Sequence, residues 1–378
     1  MCVASTRTSL LARSGFLGAV GAAALPLLAS AAADAAPAAP LVVPTGLSAA
    51  NARAARIAAR SPLVRSLHMQ IVALAGSVGD ATLRADVVDL LARPRASYQA
   101  MYPTSQSRVA LRDALAREGF IAADAPVAGL FPPVGADGIA QPFWSTPGSD
   151  TNGHHSYPGG LCAHELFNAR MGMQFAQTYD RQYFGGRANV DPDVAIAAAL
   201  YHDIMKTVVF QYREDGTFLE ELSIGDTGGH HCLSGAEAIL RGRDARFVTV
   251  LLSAHAAPSL GDERKVVTWA RAAAMIAGVD PVAFGLVKRT PDGFGLAALP
   301  PVEAFVNHLS DHDYVLTIQA AHHVRPALAA IAPSLGIAAA ETNWWRLRAC
   351  SEHSEIALYE ALTRGGDAFK VLLTRESS

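Results

Sequence analysis

The stretch "DPDVAIAAALYHDIMK", Asp191 to Lys206, constrains the fold more than any other part of the chain. Asp191 suits a helix N-cap and Pro192 the first helical position. Val194 to Leu200 then carry no polar side chain. A helix that is apolar on every side has no face for water, so it must lie at the centre of a bundle. His202 and Lys206, four residues apart, fall on one face near its C-terminal end, with Asp203 beside them. The expected class is therefore all-α, with polar, titratable residues carried into the interior at the end of a central helix.

The remaining chain is consistent with a bundle around that helix. It has 378 residues, 51% of them hydrophobic and only 17% charged, enough to bury a large core. A formal net charge of -3 gives no basic field, so a nucleic-acid polymer is not an expected partner. Arg7 and Arg13, the apolar run "SGFLGAVGAAALPLLAS" and the small-residue stretch "AAADAAPAAP" read as a signal peptide and linker over residues 1–39. Export to the periplasm or the exterior is the expectation. Ser14 stands where a twin-arginine signal would carry its second arginine, so the export route stays open. No later segment is long and apolar enough to span a bilayer. Without the leader, Cys162, Cys232 and Cys350 remain; an odd number forms no complete disulfide framework, and they read as small buried packing residues.

Three regions follow the leader. Residues 40–150 read as a helical N-terminal region and an ordered, Pro- and Gly-rich connection, 151–325 as the core, and 326–378 as C-terminal helices packed on it. Within the core, "KTVVFQYREDGTFLEEL" reads as a short β-hairpin turning at Asp215-Gly216. Further helical patterns run through "HCLSGAEAILRG", "RFVTVLLSAH" and "RKVVTWARAAAMIAG", then from Val302 to Ala321 and from Trp344 to Leu373.

Eleven of the thirteen histidines lie between His154 and His323. "HHSYPGGLCAHE" alone, His154 to Glu165, holds three of them. Imidazole is costly to bury without a partner, so such a concentration either faces water or binds something. Mixed imidazole and carboxylate donors suit Fe, Mn, Co or Zn, whereas Mg or Ca would call for oxygens alone.

The order of these residues resembles the HD-domain metal-dependent phosphohydrolases. "YHDIMK" is similar to that family's His-Asp-Ile-Gly-Lys, with Met205 in place of the glycine, and "HHSYPGGLCAHE" to its approach to the first histidine ligand. "GHHCLSGAEAIL" matches the His-x-x-x-Gly element if His231 is the ligand, since Gly235 lies four residues on, with His230 as the rival; "LLSAH" supplies His255. "NHLSDHDYV" offers Asp311, preceded by the usual small residue, and Asp313. The resemblance covers roughly residues 154–314. It implies an HD-type helical bundle with a short hairpin insertion and one or two divalent transition-metal ions held by His164, His202, Asp203, His231, His255 and Asp311 or Asp313.

On this reading Asp203 bridges two ions that share a hydroxide nucleophile. Lys206 directs a cation to phosphate or the leaving group, or else is a helix C-terminal charge facing the dipole. His155 and His230 become substrate-binding candidates, and His154 another residue of the pocket mouth. Glu165 is either an acceptor orienting His164 or a solvated helix residue. His322, His323 and His353 lie outside the pattern. The expected activity is hydrolysis of a phosphate ester of a small molecule or nucleotide. Two other readings use the same donors: a di-iron oxygenase of the same scaffold, disfavoured by the lysine, and a metal-stabilised binding protein without turnover.

Overall fold

Short polar residues start the first helices of the chain. In the computed structural model, which describes residues 40–374, Ser48 accepts from Asn51 N, Ser61 from Val64 N and Asp80 from Leu83 N, while Thr104 and Ser107 cap each other. These caps open α1 (Ala49–Arg60), α2 (Pro62–Gly76), α3 (Ala81–Ala92) and α5 (Ser105–Arg117); the short α4 (Ser97–Met101) and α6 (Val127–Leu130) complete this region. The leader read at residues 1–39 lies outside the described residues.

The connection that follows is irregular, but Phe143 and Trp144 bury their rings in the core. It leads into α7 (Gly160–Tyr183), α8 (Pro192–His202) and the single turn α9 (Lys206–Val209). Then come β1 (Ser223–Ile224), β2 (Thr227–Gly228), α10 (Gly229–Leu240), α11 (Ala245–Leu252), α12 (Glu263–Ile276), β3 (Val287–Thr290), β4 (Gly293–Leu296), α13 (Val302–Ser310) and α14 (Tyr314–Ile331). The chain closes with α15 (Thr342–His353), α16 (Glu355–Thr363) and α17 (Gly366–Thr374). The described residues are mostly helical, with two small antiparallel hairpins.

α8 is the central element expected from its composition. Asp191 caps it, accepting from Asp193 N at 2.9 Å, and every residue from Val194 to His202 is buried. It packs against α2, α3, α7, α10, α11 and α13. At about 1.5–3 kcal/mol for each large apolar side chain buried, Ile196 and Leu200 alone anchor it firmly. Residues from Ala55 to Ala304 share this core, so the N-terminal helices belong to the same hydrophobic unit as α8. A second cluster joins Ala50 and Ala54 of α1 to Tyr157, Tyr212, Phe218 and the helices α14 to α17.

Three local expectations are corrected. The central helix stops at His202, not Lys206: Asp203 leaves helical geometry with φ −111° and ψ 8°, and Met205 N donates to Ser234 Oγ. The segment after Lys206 begins as a helical turn, and the hairpin is confined to the Asp215-Gly216 turn, closed by Arg213 N to Thr217 O, the antiparallel Tyr212–Phe218 bridge and Leu219 N to Gln211 O, with Trp344 Nε1 of α15 donating to Glu214 O. The helix read from Val302 to Ala321 breaks between Ser310 and Tyr314, where both aspartates turn inward. The β3–β4 hairpin around Asp292-Gly293 was not apparent from the sequence. Among the described residues no helix is long and apolar enough to cross a membrane. Cys162, Cys232 and Cys350 are buried free thiols.

Candidate metal centre

The Tyr-Pro-Gly-Gly turn sets the first histidine. Gly159 has φ +89° beside Val64, and a Cβ on Gly160 would lie 1.9 Å from the His155 carbonyl oxygen, so only glycine admits this crossing. α7 therefore begins tight against the 146–155 loop, with Leu161 N donating to Thr146 O. His164 follows on the first inward-facing turn, and Asn168 one turn later places Nδ2 3.1 Å from His164 Nε2.

His202 and Asp203 meet because the helix ends between them. His202 Nδ1 donates to Ala199 O at 2.7 Å, which leaves Nε2 as the bare nitrogen, 3.3 Å from Asp203 Oδ2. His164 Nε2 approaches the same oxygen at 3.1 Å. Lys206 is turned inward and fully enclosed, its ammonium against Asp203 and 2.6 Å from Gly148 O. It is not a solvated charge at a helix end.

α10 contributes two adjacent rings from its first turn. Glu221 Oε1 accepts from His230 N and Nδ1 at 2.7 and 2.6 Å, so His230 Nε2 is left bare, 3.1 Å from Asp203 Oδ1. His231 Nε2 is 4.0 Å from that oxygen and 3.0 Å from His255 Nε2. His255, three residues beyond α11, is 2.9 Å from Asp311 Oδ2. The cluster reaches solvent here, where the His255 side chain is 22% exposed.

The break between α13 and α14 separates the two aspartates. Asp311 Oδ1 lies 3.1 Å from His164 Nε2 and 3.6 Å from His202 Nε2, inside the cluster. Asp313 lies behind His164, 3.2 Å from Nδ1, and its other oxygen is 2.8 Å from His155 Nε2. His155 is thus buried behind the centre and not at a pocket mouth, its backbone held at φ +51° with its N–H on Glu355. His154 sits nearer the surface, its ring 4.9 Å from that of His164.

Burial alone would raise the Asp203 carboxyl, but His202, Lys206 and His230 hold it well below the usual range. Asp311 is likewise depressed against its burial by His255, His202 and His164. Glu165 is pushed up to about 7, chiefly by burial and in part by Asp203, with His202, His164 and Lys206 opposing. Burial brings His255 down to about 4 and, with His255 and His230 beside it, holds His231 well below its ordinary value.

The residues present fit a transition metal. His202 Nε2, His230 Nε2, Asp203 Oδ1 and both oxygens of Glu165 are buried without a hydrogen bond, while Asp203 Oδ2 meets the Lys206 ammonium. Each such group costs about 1–3 kcal/mol unless something meets it. Donor atoms of Asp203, His230, His231 and His255 lie within 4.8 Å of one another, as do those of His164, His202 and Asp311. These buried imidazole and carboxylate clusters could hold metal ions of the borderline type.

All the candidate residues come together, and several partners were missed. Glu221 lies at the end of the segment read as a hairpin, where nothing in the sequence marks it as the partner of His230. Asn168, Arg325 and Glu355 carried no motif, and each reaches the centre through a contact distant in sequence or one turn away; Tyr157 lies within "HHSYPGGLCAHE" but had no role assigned. His323 is exposed and bonded to Gln319, apart from the centre. A cleft of about 600 Å³ between α1 and α15, lined by Arg53, Arg56, Trp345 and Arg348 among others, shares no residue with it.

No family model matches the chain, and no solved structure matches it significantly. Over 149 residues, 39% of this chain, it is 26% identical to a protein of Methanocaldococcus jannaschii, covering 44% of that protein's length. The chain therefore spans less than half of this curated relative. What it resembles over that stretch is a dihydroneopterin 2′,3′-cyclic phosphate phosphodiesterase.

Proposed function

We propose that this chain is an exported, HD-type metal-dependent phosphohydrolase that cleaves a phosphate ester of a small molecule or nucleotide. The observation that carries the reading is the convergence of imidazole nitrogens from separate elements, α8 and α10 above all, on the Asp203 carboxylate, whose Oδ2 meets the Lys206 ammonium and whose Oδ1 has no hydrogen bond. The likeness to a phosphodiesterase supports the reaction class.

His164, His202, Asp203 and Asp311 would hold one divalent ion, and Asp203 with His230, His231 and His255 a second. Bound there, such ions would lower the pKa of a water nucleophile and neutralise charge on the phosphoryl oxygens. The chain's own residues prepare this. Ala199 O and Glu221 fix the tautomers of His202 and His230, presenting Nε2 from both. Lys206, held between Asp203 and Gly148 O, keeps that carboxylate charged and acts through it. Substrate would approach from the His255 side, where that side chain is part-exposed.

The test is a panel of phosphomonoesters, linear phosphodiesters and 2′,3′-cyclic phosphates, assayed with Mn, Co, Fe or Zn. Metal-dependent hydrolysis that is abolished in Asp203→Asn supports the reading. A protein that takes up iron and consumes O₂ without hydrolysing any ester overturns it.

A further inference from the structure

Behind His164 a line of buried side chains continues away from the centre. Asp313 Oδ1 lies 3.2 Å from His164 Nδ1 and Oδ2 lies 2.8 Å from His155 Nε2, while His155 Nδ1 lies 3.3 Å from the Tyr157 hydroxyl. All four residues are buried. An ionised carboxylate only accepts, so both ring nitrogens that touch Asp313 must carry hydrogen. A neutral His155 then has Nδ1 as acceptor, which takes the Tyr157 O–H. A neutral His164 then has its lone pair on Nε2, the nitrogen that lies 3.1 Å from both Asp203 Oδ2 and Asp311 Oδ1, with Asn168 Nδ2 beside it. The orientation of Asn168 is set independently, because its Nδ2 also donates to Asp311 Oδ1 at 2.9 Å; a flipped amide would press oxygen on oxygen.

The backbone is arranged to keep this line in place. His155 occupies φ +51°, a region a non-glycine residue holds only when its surroundings enforce it. Its carbonyl accepts from Gly148 N and Tyr157 N, and its own N–H donates to Glu355 Oε2 at 2.8 Å. Arg325 binds the other Glu355 oxygen and the carbonyls of Thr151 and Gly153, so α14 and α16 clamp the loop that carries His155.

We propose that Tyr157, His155 and Asp313 form a hydrogen-bond relay that fixes the His164 ring with its proton on Nδ1 and its Nε2 lone pair toward Asp203 and Asp311. Asp313 is then a positioning residue, and Asp311 the carboxylate that meets the metal. The inference rests on the metal-centre reading above.

Zinc affinity by chelator competition, zinc stoichiometry at saturation, and ¹⁵N-histidine NMR of the zinc-loaded protein test it. Wild type should show an exchange-protected His164 Nδ1–H. Asp313→Asn should bind zinc about 10- to 100-fold more weakly at unchanged saturating stoichiometry, with that protection lost; Asp311→Asn should lose stoichiometry. Unchanged affinity and protection in Asp313→Asn overturn the relay, and so does a lost zinc equivalent at saturation, which would make Asp313 a ligand. Should Asp313→Asn fail to fold, His155→Phe decides: a weakened affinity of the same order supports the relay and wild-type affinity overturns it. A wild-type protein that takes up no zinc overturns the metal reading and the relay with it, whereas normal wild-type uptake with an unaltered variant removes the relay alone.

Discussion

The His230 ring places Nε2 3.1 Å from Asp203 Oδ1, closer than His231, whose Nε2 is 4.0 Å from the same oxygen. With Glu221 holding Nδ1, His230 has the arrangement of a metal-binding histidine, a carboxylate behind and a bare nitrogen in front. His230→Ala is therefore expected to lower the metal-to-protein ratio, and Glu221→Gln to weaken metal affinity about tenfold at unchanged stoichiometry. Elemental analysis and chelator competition check both. Full metal content and affinity in His230→Ala would return the role to His231, as the Gly235 spacing suggests.

Gly160 tests the turn that delivers His164. An alanine there must displace the His155 carbonyl, so Gly160→Ala should cost about 2 kcal/mol or more and reduce metal content, read by thermal melting and metal analysis. An alanine variant with unchanged melting and metal content would show that the loop gives way freely.

Much of the centre could be read from residue types and spacing. The Asp191 cap, Pro192 and an unbroken apolar run define α8, because a helix with no polar face has only one place to go. The resemblance to the HD-domain family implies His164, His202, Asp203, His231, His255 and Asp311 or Asp313, and the structure brings these residues together, with Asp313 behind His164. What the spacing does not contain is which way a side chain turns. Lys206 was open between a dipole charge and a phosphate ligand, and it turns onto Asp203 because the helix stops four residues earlier. The inward turn of His155 depends on Glu355, 200 residues away, and on a positive φ that no local pattern announces. The β3–β4 hairpin escaped because "VKRTPDGFGL" is short and mixed in polarity.

The clamp on the His155 loop gives a stability prediction far from any metal donor. Arg325→Ala leaves the fully buried Glu355 carboxylate without its cation, a loss of about 3 kcal/mol. By contrast Arg364→Ala, which removes an exposed pair with Glu360 on the same group of helices, is expected to leave the melting temperature unchanged. Equal effects of the two substitutions would contradict the clamp.

The central claim is that Asp203, kept charged in the interior by Lys206 and the surrounding histidines, is placed there to meet metal. Its carboxylate is fully buried, ringed by His164, His202, Lys206 and His230; Oδ2 meets the Lys206 ammonium and Oδ1 has no hydrogen bond. Asp203→Asn keeps the shape and removes the charge. The most direct measurement is the metal-to-protein ratio of wild type and Asp203→Asn, purified in parallel and matched for helical content by circular dichroism. The account predicts one or two equivalents in wild type and at least one fewer in the variant, with the helical fold retained. Equal metal content in the two proteins, or none in wild type after incubation with Mn, Co, Fe or Zn, would contradict it.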